Sequence, residues 1–260
     1  MFAEAEEYNK PKNPAWARWS TCSLCEQQYH GFVYCALGWA CWKTYLGRPE
    51  GDRNRVDAMN QLGNGLCEAN CHEDALSVRE AELAMLRRTG ASEARILVAQ
   101  NNLANSYHKL GRLEQALRMQ SDVHSGRLRL HGEEDDLTLS AANNYAHTLI
   151  NVKRSKEAET LLRRTVPVAR RVLGENNEIT LRARWIYATA LCDIGATLDD
   201  LREAVTTLKS VAPSWKRVFG EAHPETQRVQ GALKEVREAL RAREESDVCD
   251  AMAAMTPGDA

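Results

Sequence analysis

The residues of this chain best suited to chemistry are its cysteines, and they are unevenly placed. Cys22 and Cys25 form a C-x-x-C pair, followed by His30, Cys35 and Cys41, all inside an aromatic-rich stretch with Trp16, Trp19, Trp39 and Trp42. A C-x-x-C opening with two later thiolates has the ligand types of a tetrahedral zinc site, and Cys22, Cys25, Cys35 and Cys41 are the candidate set. No second C-x-x-C or H-x-H follows to complete the pattern. A thioredoxin-like reading needs a strand before the helix, and no βαβ pattern is present. Cys67, Cys71 and His72 superficially suggest haem attachment, but they fall at a helix–helix turn. No metal and no cofactor is therefore expected.

Nucleophile and phosphate motifs are missing as well. The sequence has no phosphate-cradling glycine loop, no G-x-S-x-G and no H-E-x-x-H, so catalysis is not expected. The seven histidines are scattered, and Asp199-Asp200 sits where a helix start needs carboxylates. The net charge of -2 gives no basic footprint for nucleic acid, and no apolar run is long enough for a bilayer span. The opening Met1-Phe2-Ala3-Glu4 lacks the basic and apolar regions of a secretory signal, so reduced thiols and a cytoplasmic location are expected.

The elements that must position these residues repeat. Glycines that close helical patterns fall at Gly47, Gly90, Gly132, Gly174 and Gly220, at spacings of 43, 42, 42 and 46. Leu-Gly-Glu-type junctions recur at Gly132, Gly174 and Gly220, each leading into acidic residues suited to the next helix N-terminus. A glycine in left-handed conformation is expected at each junction. Between junctions two amphipathic helices are read. In one unit Leu103, Ala104, Tyr107 and Leu110 form the buried stripe of the first helix, and Ala116, Leu117 and Val123 that of the second. Ala158, Leu161 and Leu162, then Ala204, Val205 and Leu208, repeat the second stripe. Four extra residues near Ala196–Asp199 account for the longest spacing.

The run Asn101-Asn102-Leu103-Ala104, then Leu110-Gly111-Arg112-Leu113-Glu114-Gln115-Ala116, resembles the long tetratricopeptide repeat of kinesin light chains, as does His223-Pro224-Glu225-Thr226. The resemblance covers roughly residues 54–240 and implies an all-α, right-handed solenoid of helix pairs with a period near 42 residues. It implies binding of an extended peptide or partner protein by a non-enzymatic scaffold. The sequence lacks the sustained heptads of a light chain, which argues against a motor heavy-chain partner. HEAT or armadillo stacking has a similar period, but the small-residue and glycine placement favours the tetratricopeptide reading.

On that register the expected organisation is a flexible leader (1–13), a divergent Cys/Trp-rich first repeat or cap (14–53), repeats (54–220), a capping helix (221–245) and a disordered tail (246–260). Cys22, Cys25 and Gly31 then match core positions, and this reading is preferred to zinc; a zinc-binding regulatory module is the alternative. The outward face of the first helices carries Asn60 and Asn64, then Asn101, Asn102, Asn105 and Lys109, then Asn143, Asn144, His147 and Asn151, then Arg182 and Trp185. Asparagine is poor in helix interiors, so its recurrence calls for a reason. A carboxamide can engage both the N–H and the C=O of an extended peptide, and Trp185 offers an apolar anchor. These residues are the expected peptide-binding groove.

Overall fold

A computed structural model describes residues 14–193 and 195–255; the expected leader and residues 256–260 of the expected tail lie outside the described residues. A helical turn, Pro14–Ala17, and a tight turn closed by an isolated antiparallel bridge between Thr21 and Gln28 precede ten longer helices. These are α1 (Gly31–Tyr45), α2 (Arg53–Glu68), α3 (His72–Arg88), α4 (Glu93–Lys109), α5 (Leu113–His131), α6 (Asp136–Asn151), α7 (Ser155–Leu173), α8 (Glu178–Leu191), α9 (Leu198–Phe219) and α10 (Pro224–Met255). The fold is all-α. Among the described residues no helix is long and apolar enough to cross a membrane.

Two compact units divide within α5, at Met119 and Gln120. In the first, α1 packs on α2, α2 on α3 and α3 on α4. Its core joins Val56, Met59, Leu76, Leu83, Leu86, Ala99 and Leu103, with Trp42, Tyr107 and Leu110 at the edge. In the second, α6 packs on α7, and α7, α8, α9 and α10 follow pairwise. Leu162, Leu181, Leu208, Val211, Trp215 and Val229 are fully buried there. Ala75, Ala116, Ala158 and Ala204, at matching places in the second helix of each pair, are wholly buried; a side chain of one carbon lets a partner helix approach closely.

Local chemistry sets the boundaries. Asp52 accepts from the Asn54 and Arg55 amides, Asp135 from Thr138 and Asn177 from Ile179, each capping a helix start. Thr197 and Asp200 form a reciprocal capping box at the start of α9, which is why the longer α8–α9 connection ends there. The turns inside pairs are closed by left-handed residues at Asn70, Gly111 and Lys153. In each, the next amide reaches back five residues (Cys71 to Leu66, Arg112 to Tyr107, Arg154 to Leu149), satisfying carbonyls at the helix end.

The junction glycines differ from expectation. Gly174 (φ 85°, ψ 166°) and Gly220 (φ 88°, ψ 162°) occupy the extended positive-φ region rather than the compact left-handed one, because they exit into an extended cap residue instead of turning tightly. Gly47 has no positive φ; α1 ends at Leu46 in ordinary helical geometry.

The amino-terminal unit departs further. Cys22 and Cys25 lie in a turn and not in a helix, since Cys22–Gln28 has a polar run with no apolar stripe; Cys25 is exposed. A Cβ at Gly31 would meet nothing within 4 Å, and the close approach belongs to Gly38 and Gly65 instead. The helix α1 is apolar around its circumference, so it matches no single register. Trp42 packs on the core and Trp16 stacks on Tyr45 at 5.2 Å, whereas Phe32, Val33 and Trp39 face solvent. At the other end, the helix expected to stop near residue 245 continues to Met255, correcting the disordered assignment for 246–255.

A Cβ at Gly65 would lie 2.9 Å from both the Cys35 Cα and the Tyr34 carbonyl oxygen, with backbone on both sides. Gly65→Ala must push α1 off α2, and overpacking of this kind costs about 1–3 kcal/mol. Thermal melting should show a lowered Tm for Gly65→Ala and no loss for Gly47→Ala, whose new methyl meets nothing.

Candidate functional site

The asparagines of the first unit rest on a charged seam contributed by α3. Arg79 is buried, 6% exposed, and its guanidinium ties two first helices together. One terminal nitrogen donates to Asn64 Oδ1 at 3.1 Å on α2. The other donates to the Asn102 carbonyl at 2.7 Å and to Ser106 Oγ at 2.6 Å on α4. Asn64 Nδ2 in turn donates to Asn60 Oδ1 at 3.1 Å. Both ends of the Asn64 carboxamide are thus committed, and its plane is fixed.

Asn60 also hydrogen-bonds the carboxylate of Glu82, one turn along α3 from Arg79. Glu82 is 3% exposed and its Oε2 has no hydrogen-bond partner. Burial pushes its carboxyl up to about 7, against the opposing pull of Arg79, Asn60 and Arg95; Asp57 adds to the rise. Arg79 and Glu82 escaped the sequence reading because they sit on the second helix of the pair. A signal was available: with Ala75, Leu76, Leu83 and Leu86 they fall on the one buried stripe, where charges are out of place.

On α4, Asn101, Asn102 and Asn105 are half-buried and Lys109 is exposed. The neighbouring His108 is held below the usual imidazole range by burial and by Lys109. The structure therefore brings Asn60, Asn64 and Asn102 into one network, with Asn101, Asn105 and Lys109 on the helix that completes it.

The second unit is built differently. Asn143 is 2% exposed and donates through Nδ2 to the Ile179 carbonyl at 2.9 Å, which bridges α6 to α8. It is a packing residue, a correction to its expected place on an open face. Asn144 is half-buried, and His147 and Asn151 are exposed. Arg182 pairs with Glu178 at 3.2 Å along α8. Trp185 is half-buried, edge-on to Trp215 with centroids 5.9 Å apart, and Trp215 continues into Phe219 and His223. An aromatic cluster thus backs the one expected anchor.

The zinc alternative finds no ligand set. Among the described residues no three histidine, cysteine or acidic side chains are grouped to hold a metal ion. Cys41 is buried and its thiol pushed up to about 12 by desolvation, while Cys22 and Cys25 belong to the exposed turn.

With this geometry established, relatives can be compared. Residues 94–171 match the tetratricopeptide repeat family. A variant of a Podosopora anserina kinesin-light-chain protein with nearly identical repeats shares 18% identity, covers 71% of this chain and 84% of its own, and superposes with a TM-score of 0.54. The parent of that variant gives 18% identity, 72% and 86% coverage and a TM-score of 0.53. BtubC (BKLC) from P. vanneervenii shares 14% identity over 87% of this chain and 94% of its own, with a TM-score of 0.55. No curated protein matches the sequence. Residues 94–171 are therefore tetratricopeptide-repeat sequence. The fold of the chain is that of kinesin-light-chain-like repeats.

The raised Glu82 carboxyl sets a pH dependence whose sign follows from linkage. Below about pH 4.5 folded and unfolded chains both hold the proton; as pH rises towards 7 the unfolded chain releases it first, so this group's stabilising contribution is lost across that window. Between pH 5 and 8 the loss is roughly 2–3 kcal/mol. Urea unfolding of the parent and of Glu82→Gln at both pH values should give a parent-minus-variant stability that falls by that amount.

Proposed function

We propose that this chain is a non-enzymatic scaffold that binds an extended segment of a partner polypeptide along the asparagine-bearing first helices of its pairs. The observation that carries the proposal is the fixed orientation of the Asn64 carboxamide on α2 by Arg79, whose guanidinium also ties the Asn102 backbone carbonyl and Ser106 of α4. Polar groups immobilised before binding lose little further freedom when a peptide docks, which is what affinity for a flexible ligand requires. An extended backbone presents donors and acceptors in alternation, and a carboxamide supplies both complements. Asn60, Asn64, Asn101, Asn102, Asn105 and Lys109 make the contribution of the first unit. Asn144, His147, Asn151, Arg182 and Trp185 make that of the second, with Asn143 acting from beneath.

The repeat fold supports the absence of catalysis, because such repeats are used as interaction surfaces. The perturbed acid of the seam, Glu82, is closed to substrate by its burial. A cytoplasmic location belongs to the same proposal and rests on the seven described cysteines, all of which are free thiols.

Selection of peptides from a displayed random library on the immobilised full chain supplies the ligand for the test. Changing Asn101, Asn105 and Asn144 together to Ala is expected to weaken the selected peptide at least tenfold, as read by fluorescence polarisation, with circular dichroism unchanged. Undiminished binding by that variant would rule out the asparagine face.

A further inference from the structure

The turn before α1 holds a thiol pair that the scaffold role does not use. We propose that Cys22 and Cys25 form a thiol–disulfide exchange site that reacts with small disulfides of the glutathione class. The geometry is that of a pre-formed loop. The Cys22 amide donates to the Gln27 carbonyl at 2.8 Å, the Glu26 amide returns to the Cys22 carbonyl at 2.9 Å, and the Tyr29 amide closes onto Ser20 at 2.9 Å. Glu26 takes a left-handed φ of 57° to complete the reversal. The loop is moored to α2 by Gln61 Nε2, which donates to the Trp19 carbonyl at 2.8 Å.

The Glu26 bond closes the chain on itself around Cys22 and Cys25, which lie three residues apart in one turn. Cys22 Sγ receives the backbone N–H groups of Cys25 and Leu24, then the Cys25 thiol, and also the Tyr29 hydroxyl. Together these outweigh desolvation and lower the Cys22 thiol to about 7. The Tyr29 hydroxyl is correspondingly held above the usual phenol range, chiefly by its bond to Cys22, so it remains a donor. Access is open: Cys25 is exposed and the intervening Leu24 is 93% exposed. Three other thiols move the opposite way. Burial pushes Cys41 up to about 12, Cys192 up to about 11, and raises Cys35.

The exchange balances without any other reactant. The Cys22 thiolate attacks one sulfur of the small disulfide; a Cys22–S bond forms, the S–S bond breaks, and one thiolate leaves and takes up a proton. Cys25 then loses its proton and attacks Cys22 Sγ, closing the Cys22–Cys25 bond and releasing the second small thiol. Two protein thiols are oxidised, and one disulfide is reduced to two thiols. Cys22 is the attacking residue and Cys25 the resolving one.

A magnitude follows. At pH 7 a thiol titrating near 7 is about half thiolate, against roughly a hundredth for one near 9, a gain of about fifty-fold. The weaker nucleophilicity of the more acidic thiol removes about six- to tenfold, leaving a net advantage of about fivefold.

The test treats the full chain with oxidised glutathione at pH 7 and reads intact mass, then maps the sites by peptide mass after alkylation. The parent should lose two hydrogens within the peptide carrying Cys22 and Cys25. Cys25→Ser should stop at a glutathione adduct on Cys22, and Cys22→Ser should form no Cys25 disulfide, with circular dichroism confirming that both variants fold. Iodoacetamide should modify Cys22 about fivefold faster in the folded chain than in urea. Equal rates in the two states, or a disulfide that forms first between other cysteines, would overturn the proposal.

Discussion

One buried guanidinium organises the first unit. Arg79 lies on the buried stripe of α3 with Leu76 and Leu83, and moving such an ion out of water costs several kcal/mol. Its three acceptors, Asn64 Oδ1, the Asn102 carbonyl and Ser106 Oγ, each return about 1.5–3 kcal/mol as bonds to a charged donor. The terms nearly cancel, so the residue adds little net stability. Its effect is geometric: the planar fork ties α2 to α4 and fixes the Asn64 carboxamide. Glu82 completes the arrangement by accepting from Asn60, and it keeps a proton near neutral pH because its surroundings are too dry for a second full charge.

The second unit places uncharged side chains at the matching positions. Aligned on Ala75 and Ala158, the positions of Arg79 and Glu82 become Leu162 and Thr165, both buried. There Asn143 bridges helix to backbone, and an aromatic cluster around Trp215 backs Trp185. Each unit thus carries its own kind of surface, polar and orientation-fixing in the first and backed by an apolar cluster in the second.

Much of this was legible in the sequence, for reasons that differ by element. The stripes around Leu103 and Ala104 and the alanines Ala116, Ala158 and Ala204 follow from helical periodicity, which burial enforces directly. The acidic caps at Asp135 and Asp200 follow from unpaired amides at helix starts. Three features were out of reach. Gly38 and Gly65 mark a helix contact only once both backbones are placed together. Cys22 and Cys25 were aligned to a helix by register, but the register carries no information where the apolar stripe is missing. Asn143 and Asn101 occupy matching sequence positions, yet Asn143 is buried and Asn101 only half so, because burial depends on what packs above.

The account stands on Arg79 as the residue that holds the asparagine face of the first unit. Native-state amide hydrogen exchange on Arg79→Lys tests it directly, because lysine keeps the charge and loses the fork. The prediction is faster exchange, by at least tenfold, for amides of α2 and α4 around Asn64 and Asn102, with α8 and α9 unchanged. Unaltered protection in α2 and α4, or an equal loss throughout the chain, would contradict it.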